Sequence, residues 1–195
     1  MRIFIVAILF ITAVQANGGN NSIEMDYTTD LGLMGNGVEI KGNINIVNTK
    51  IFAGDIALGG TYYSYSMNTF YDSTLQNIDV TATGTDLNLY FDTRLNITDN
   101  FHWITSIYIG WMMWHFTGSA TNSTYSISDT DDSYYHYFDY GTKLGVGYTL
   151  SDNWGIQFLV YKSLRNILEP LSLLSHLGGS EDAPTRVQLG VRYLF

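Results

Sequence analysis

The sequence contains no cysteine and only two prolines among its 195 residues. The absence of cysteine excludes a disulfide framework and a lipid-modified cysteine anchor. Lysine and arginine together number 9 against 18 acidic residues, for a net charge of −9. This leaves no basic patch to neutralise nucleic-acid phosphates, so we expect no nucleic-acid partner. Abundant tyrosine, glycine and threonine instead favour strands and turns.

The N-terminal segment has the layout of a secretory signal peptide. Met1 and Arg2 precede an apolar run that begins at Ile3, and a small residue, Ala16, stands at the expected cut. A membrane-anchoring helix is the alternative, but the run is roughly half as long as a span requires. No later run is long and apolar enough for such a helix. We therefore expect residues 1–16 to be a cleaved signal peptide and residues 17–195 to form one domain.

The remainder divides into eight segments in which apolar and polar residues alternate with a period of two, which is the period of a strand. The segments begin near Ile23, Val38, Phe52, Asp86, Phe101, Phe138, Trp154 and Thr185. The phase of the fifth is ambiguous. We place Trp103 and Trp111 on its apolar face, although Tyr108 and Trp114 make the other face apolar as well.

The connections between these segments alternate in length. Residues 48–50, 98–100 and 151–153 have the composition of short turns. Residues 34–37 have the same composition, so the first connection is a short exception on the side of the long loops. Residues 66–76, 118–133 and 166–184 have the composition of long polar loops. Within the last of these, the leucines of residues 170–177 predict a short helix over the barrel opening. Short turns on one side and longer loops on the other are typical of up-and-down membrane barrels.

Alternation alone does not show which face meets solvent, because a soluble lipocalin-like barrel would turn its apolar face inward. The distribution of charge favours a polar interior, since six of the eight lysines and arginines after residue 16 fall on the polar strand face among eight carboxylates. We expect these side chains to form an ion-pair network in the lumen. They are Glu24, Asp26, Asp30, Glu39, Lys41, Asp55, Asp86, Asp92, Arg94, Asp139, Lys143, Arg165, Arg186 and Arg192.

The aromatic residues agree with a lipid-facing exterior. Phe52, Trp103, Trp154, Tyr193 and Phe195 lie close to the short turns, and Trp111 lies toward the opposite end. Aromatic residues at both ends of the apolar faces are typical of the girdles of transmembrane barrels. Lys162 falls on the same outward face, where it could reach a lipopolysaccharide phosphate.

The last strand carries a family resemblance. Val187, Leu189, Val191, Tyr193 and Phe195 share one face, and this strand needs a partner on both edges if no apolar edge is to remain exposed. The pattern resembles the closing strand of Gram-negative outer-membrane β-barrels, which the barrel-insertion machinery reads. Over its mature length the chain resembles the small eight-stranded proteins of the opacity, adhesion and porin-like group. This implies an all-β antiparallel up-and-down transmembrane barrel, monomeric, in contact with outer-membrane lipid and lipopolysaccharide.

Three functions are compatible with this class. The first is a non-enzymatic plugged barrel that displays acidic, tyrosine-rich loops, and the second is a narrow channel helped by small inward residues such as Ala57 and Gly141. The third is a lipid-modifying enzyme, but no histidine precedes a serine by two residues and Asp131, Ser133 and His136 have no specific spacing. Asp129 and its acidic neighbours lack the spacing of a calcium site. We expect the first function, without cofactor or metal.

Overall fold

The computed structural model describes residues 21–30, 35–71, 76–122, 127–164 and 185–195. These ranges contain eight strands: β1 (Ser22–Asp30), β2 (Asn36–Asn48), β3 (Phe52–Tyr71), β4 (Gln76–Asn96), β5 (Phe101–Asn122), β6 (Ile127–Thr149), β7 (Trp154–Ser163) and β8 (Thr185–Leu194). Each strand pairs antiparallel with the next, and β8 pairs with β1 to close a barrel. The predicted eight-stranded up-and-down barrel is confirmed.

Several predictions fall outside the described ranges. These are the signal peptide at residues 1–16 and the whole loop at residues 166–184, including the helix at residues 170–177. Within the described ranges, we find no helix with the length and apolar character needed to cross a bilayer.

Three short turns at one end of the barrel share one hydrogen-bond pattern. The hydroxyl of Thr49, Thr98 or Ser151 accepts a hydrogen bond from the backbone N–H three residues later, at 2.9, 2.9 and 3.2 Å. The backbone N–H of the same threonine or serine donates to the carbonyl of that later residue. The later residue is aromatic in all three turns, so each cap also positions a ring at the start of a strand.

We expect Thr98→Ala to lower the free energy of unfolding by about 1 kcal/mol, the typical net contribution of one hydrogen bond. The Thr98 hydroxyl accepts hydrogen bonds from the N–H groups of Asn100 and Phe101, and alanine offers no acceptor. Urea unfolding of the refolded protein, followed by tryptophan fluorescence, measures the change. Thr98→Ser is the matched control and should retain most of the stability. An equal loss in both variants would show that the methyl group, rather than the hydroxyl, stabilises the turn.

β3 to β6 continue past the ends of the other strands. The β2–β3 pairing ends at Asn36 and Ser64, while β4 and β5 stay paired up to Gln76 and Asn122. The 21 residues of β4 are about twice the number that a tilted spanning strand requires. A four-stranded sheet therefore projects from the end opposite the short turns. We call it the extension; it consists of residues 64–71, 76–83, 115–122 and 127–134.

The prediction of long polar loops at residues 66–76 and 118–133 is wrong, because most of these residues continue β3 to β6 as paired strands. Residues 72–75 and 123–126 lie outside the described part of the chain. Beyond the apolar belt a strand meets water on its outer face and needs no alternation of apolar residues. The serine, threonine and aspartate content then resembles that of a loop, although threonine and tyrosine also suit strands.

The barrel carries its apolar side chains on the outside. Exposed large residues include Met25, Tyr27, Leu89, Phe91, Ile107, Leu144, Phe158 and Leu189, whereas the charged residues between them point inward and are buried. Strand β5 has the predicted phase: Trp103 and Trp111 face outward, and Tyr108 and Trp114 are buried. A water-soluble barrel would bury its large apolar residues, so this exterior needs apolar surroundings.

Candidate functional site

The lumen nearest the short turns is filled by ion pairs, which we call the charged layer (Glu24, Lys41, Asp55, Asp92, Arg94 and Arg192). The Lys41 Nζ lies 2.7 Å from Glu24 Oε2 and 2.5 Å from Asp92 Oδ2. Arg94 pairs with Asp55, and the Arg192 guanidinium joins the two pairs by lying 3.5 Å from Glu24 and 3.7 Å from Asp55. Buried charges of this kind are retained only when their partners are in place.

The middle of the lumen is occupied by the tyrosine layer (Tyr90, Tyr108 and Tyr161). Their ring centroids are 5.9 Å apart from Tyr90 to Tyr108 and 5.0 Å apart from Tyr108 to Tyr161. The Lys143 ammonium lies 4.5 Å above the Tyr90 ring and bonds both carboxylate oxygens of Glu39, at 2.7 and 2.6 Å. Three rings and a charged pair therefore cross the barrel at this level.

Asp139 is held by hydroxyl groups. Its carboxylate accepts hydrogen bonds from the hydroxyls of Tyr108 and Tyr161, each at 3.1 Å, and from Ser163 at 2.6 Å. Three donors compensate in part for the burial of this carboxylate. The same bonds fix the orientation of two rings of the tyrosine layer.

The upper lumen, at the base of the extension, is filled by the aromatic layer (Tyr63, Tyr65, Met112, Trp114 and Phe116), of which Tyr65 and Phe116 belong to the extension. Trp114 lies 6.0 Å from Tyr63, 5.1 Å from Tyr65 and 5.8 Å from Phe116 between ring centroids. Its indole N–H is 2.8 Å from the Met112 sulfur. The Arg186 guanidinium carbon lies 4.4 Å above the Tyr63 ring, which connects this layer to β8.

The channel hypothesis expected the small inward residues to widen the lumen, but neighbouring rings occupy the space beside them. The Tyr90 ring lies over Gly59, the Tyr108 ring over Gly141 and the His102 ring over Gly147. An added Cβ would collide with the ring at Gly141 and Gly147 and would make a tight contact with it at Gly59. The glycines therefore accommodate large side chains from neighbouring strands. Close approach of this kind is a common reason for glycine within a strand.

The predicted ion-pair residues separate into groups. Glu24, Lys41, Asp55, Asp92, Arg94 and Arg192 meet in the charged layer, and Glu39 pairs with Lys143 above them. Asp26 accepts a hydrogen bond from Gln157, Asp86 from Thr61 and Tyr63, and Asp139 from the three hydroxyls. Asp30 pairs through its backbone with Arg186. The Asp30 side chain and Arg165 lie outside the described part of the chain.

The lumen tyrosines are site residues that the charge pattern of the sequence does not identify. Tyr90, Tyr108 and Tyr161 are fully or almost fully buried and occupy more of the lumen than most of the charged groups. A signal for Tyr90 was present, because it alternates with the outward Leu89 and Phe91 and shares its face with Asp92. Tyr90 is identified as a lumen residue by its inward position in the alternation of β4, and not by charge.

The aromatic residues of the predicted girdle face outward. Phe52, Trp103, Trp111, Trp154 and Tyr193 are exposed, with Trp111 at 50%. Trp154 and Tyr193 are in contact, with 4.8 Å between their ring centroids, and Tyr193 lies 6.0 Å from Phe195. On β8, Leu189 and Val191 are exposed and Val187 is partly so. Lys162 is also exposed and faces outward on β7.

The geometry defines the class of fold. A closed barrel of eight tilted antiparallel strands with an apolar exterior, aromatic residues at both ends and charged groups inside is a transmembrane β-barrel. The described ranges contain no group of three or more histidine, cysteine, aspartate or glutamate side chains that could hold a metal ion.

No protein-family model matches the sequence. No curated protein matches it either. Solved structures with a similar fold include the attachment invasion locus protein Ail of Yersinia pestis, at 10% identity over 90% of this chain and 96% of that one, with a TM-score of 0.46. The N-terminal β-barrel domain of Pseudomonas aeruginosa OprF matches at 14% identity over 92% and 100%, with a TM-score of 0.44.

The outer-membrane protease OmpT of Escherichia coli is also similar, at 9% identity over 83% of this chain and 64% of that one, with a TM-score of 0.46. These likenesses concern the fold alone.

Proposed function

We propose that this protein is a non-enzymatic outer-membrane barrel with a closed lumen, which holds the extension at the cell surface for contact with other macromolecules. The observation that supports this proposal most strongly is the division of the molecule into a filled barrel and a projecting sheet. The charged, tyrosine and aromatic layers lie in series along the lumen. The extension begins at the aromatic layer and continues beyond it as four paired strands.

A closed lumen is consistent with the size of the barrel. An interior of eight strands is just wide enough for side chains to fill it. Arg186, Tyr90, Tyr108, Lys143 and Met112 are among the largest side chains here that are less than 2% exposed. An ion that moves through the barrel would have to displace rings and break buried ion pairs, which makes passage costly.

The extension suits surface contact because strand pairing holds its backbone and its described outer residues Ser64 and Tyr134 are exposed. Its outer face begins with the row Ser64, Thr83, His115 and Tyr134, which directly follows the apolar belt. Tyr134 is 66% exposed, and its ring stacks on His115 at 4.3 Å between centroids. A preordered surface loses little conformational entropy when a partner binds.

Deletion of residues 121–132 tests the surface role. The deletion joins Ala120 to Ser133, and because Phe116 and Ser133 are register partners, residues 117–120 can form the new turn. We expect the variant to fold, as shown by a gel shift on heating, and to lose binding of the purified protein to intact cells. Unchanged cell binding by the deletion variant would contradict the surface role.

Single-channel recording in a planar bilayer tests the closed lumen. We expect the folded wild-type protein to give no discrete current steps. Steady steps from protein whose folding is proven by the heating gel shift would favour the alternative function, a narrow channel for small solutes. The recording thereby separates the two proposals without any variant.

The partners of the barrel itself follow from its exterior. We propose that Val187, Leu189, Val191, Tyr193 and Phe195 present the outward face that the barrel-insertion machinery reads. Lys162, which is exposed on the same exterior, would bind a lipopolysaccharide phosphate by extending its ammonium group to the interface. We propose a monomer in contact with lipid on all sides.

Mass spectrometry of lipid A from cells with and without the protein should give identical spectra, and a change in acyl chains would show lipid-modifying activity.

A further inference from the structure

Acids outnumber cations among the buried side chains of the described lumen. The buried carboxylates are Glu24, Asp26, Glu39, Asp55, Asp86, Asp92 and Asp139, and the buried cations are Lys41, Arg94, Lys143, Arg186 and Arg192. An isolated ion in a low-dielectric interior is costly, so buried charges are paired or neutralised. The excess of acid therefore calls for protons or further cations inside the barrel.

Three of these carboxylates have no described cation within ion-pair distance, namely Asp26, Asp86 and Asp139. Asp139 accepts hydrogen bonds from three hydroxyls, and Asp86 accepts from the Thr61 N–H and a tyrosine hydroxyl. The Asp26 carboxylate accepts from the Gln157 amide alone, at 2.8 Å on Oδ1. Its Oδ2 is buried and has no hydrogen-bond partner among the described residues. Asp26 is therefore the least compensated of the three.

The strand partners of Asp26 bring no cation toward it. Its register partner on β8 is Gly190, and an added Cβ at this glycine would collide with Asp26 Oδ1. Its register partner on β2 is Glu39, a second acid. Gln157 carries no charge, and it also donates to Glu24 Oε2 at 3.1 Å. Asp26 therefore lies beside two other carboxylates, one on its own strand and one on β2.

The cations near Asp26 are engaged by these neighbouring acids. The described charged groups around it are Glu24 on β1, Glu39 and Lys41 on β2, Lys143 on β6 and Arg192 on β8. Lys41 and Arg192 lie 2.7 and 3.5 Å from Glu24, and Lys143 lies 2.6 Å from Glu39. An ionised Asp26 would repel both acids and compete with them for the same cations.

We propose that Asp26 is a proton-binding site, which carries a proton on Oδ2 and is neutral in the folded barrel at neutral pH. A neutral carboxyl needs no cation and still offers Oδ1 to Gln157. Release of the proton at alkaline pH would set Asp26 against Glu24 and Glu39, so the ion pairs that fill the lumen become sensitive to pH. The inference concerns the lumen alone and does not depend on the surface role of the extension.

Infrared spectroscopy of the full chain refolded into lipid vesicles tests for the proton directly. We expect the carbonyl stretch of a protonated carboxylic acid at neutral pH in the wild type, and a loss of intensity in Asp26→Asn. The asparagine amide keeps an acceptor for Gln157 and replaces the protonated oxygen by another donor. Asp92→Asn is the matched control and should keep the full band, because Asp92 pairs with Lys41 at 2.5 Å. Equal band intensity in the wild type and Asp26→Asn would overturn the proposal.

The proton also gives the stability of the barrel a pH dependence of known sign. Folded Asp26 holds a proton that an unfolded chain releases above about pH 4. The folded state then binds one more proton, so stability falls as the pH rises. Relative to Asp26→Asn, the unfolding constant of the wild type should increase by up to about tenfold per pH unit from about pH 5 until folded Asp26 ionises.

Urea unfolding at a series of pH values measures this ratio. For Asp92→Asn the ratio should stay constant over the same range, because Asp92 is paired with Lys41 in the folded state and ionised in the unfolded chain. A constant or falling ratio for Asp26→Asn would contradict the proposal.

A sodium ion bound at Asp26 is the alternative way to compensate its charge. It would leave Asp26 ionised, without a carboxylic-acid band, and the stability of the wild type but not of Asp26→Asn would rise with sodium at constant ionic strength. That result would overturn proton binding. If Asp26→Asn does not fold, wild-type protein with ¹³C-labelled aspartate replaces it, and the absence of a labelled carboxylic-acid band would be equally decisive. Cell binding by the deletion variant does not involve Asp26, so the two proposals fail separately.

Discussion

Replacing Lys143 by methionine will lower the free energy of unfolding by about 3–5 kcal/mol, the usual cost of removing one partner from a buried ion pair. Lys143 is fully buried and is the cation that bonds both oxygens of Glu39, itself 1% exposed. Without it, the hydrogen bonds to Glu39 from the described residues come from the neutral donors Thr61 and Gln188, at 3.3 and 3.2 Å. Urea unfolding of protein refolded into lipid vesicles, followed by tryptophan fluorescence, measures the loss.

Lys162→Met is the matched control for this variant. Lys162 is on the neighbouring strand but faces outward and is exposed, so its replacement should change stability by less than about 0.5 kcal/mol. The double variant Lys143→Met/Glu39→Gln should recover part of the loss, since no buried charge then remains unpaired. A loss below about 1 kcal/mol in Lys143→Met would contradict the view that this pair is desolvated and well satisfied.

The double variant Tyr90→Ala/Tyr108→Ala will convert a silent barrel into one that gives discrete current steps. Tyr90 and Tyr108 are both 0% exposed, and their rings lie over Gly59 and Gly141, so truncation removes side chains that span the lumen at its middle. Each truncation of a large buried aromatic residue costs about 3–5 kcal/mol. Folding must therefore be checked by the heating gel shift before recording in a planar bilayer.

Tyr90→Phe/Tyr108→Phe is the control that keeps the rings, and it should remain silent. Arg94→Ala should remain silent as well, because it leaves Lys41 paired with Glu24 and Asp92 in the charged layer and every ring in place. Current steps in Arg94→Ala alone would show that the charged layer, rather than the rings, closes the barrel. Silence from a folded double alanine variant would place the closure in the charged layer or the aromatic layer.

The barrel class was predictable because it depends on a local pattern. Alternation along β4, with Leu89 and Phe91 on one side and Tyr90 and Asp92 on the other, appears directly in the sequence. A strand that separates lipid from a polar lumen must show this period. Above the apolar belt a strand no longer separates lipid from a polar lumen, so the alternation is no longer required. That is why the upper parts of β3 to β6, where Ser64 and Thr83 face water, were predicted as loops.

The partners within the lumen were not predictable. Glu39 and Lys143 are 104 residues apart, and Lys41 and Asp92 are 51 apart. Both pairs join strands that are not neighbours, so they meet across the lumen and not along a ladder. Which charges reach the same level depends on the stagger of all eight strands around the barrel. Alternation within one strand fixes the face of a residue but carries no information about that stagger.

Side chains along β6 alternate between the two faces of the strand, and this alternation limits the number of residues that can be inserted into the extension. A single inserted residue between Ile127 and Asp139 would reverse the faces of every residue on one side of it. If the barrel kept its register, the residues of β6 in the extension would turn over. If the extension kept its register, the carboxylate of Asp139 would turn away from its three hydroxyl donors toward lipid. Insertions of two residues, matched in β5 and β6, preserve both faces. The extension should therefore accept foreign segments in even steps, which makes it suited to the display of grafted sequences of variable length above an unchanged barrel.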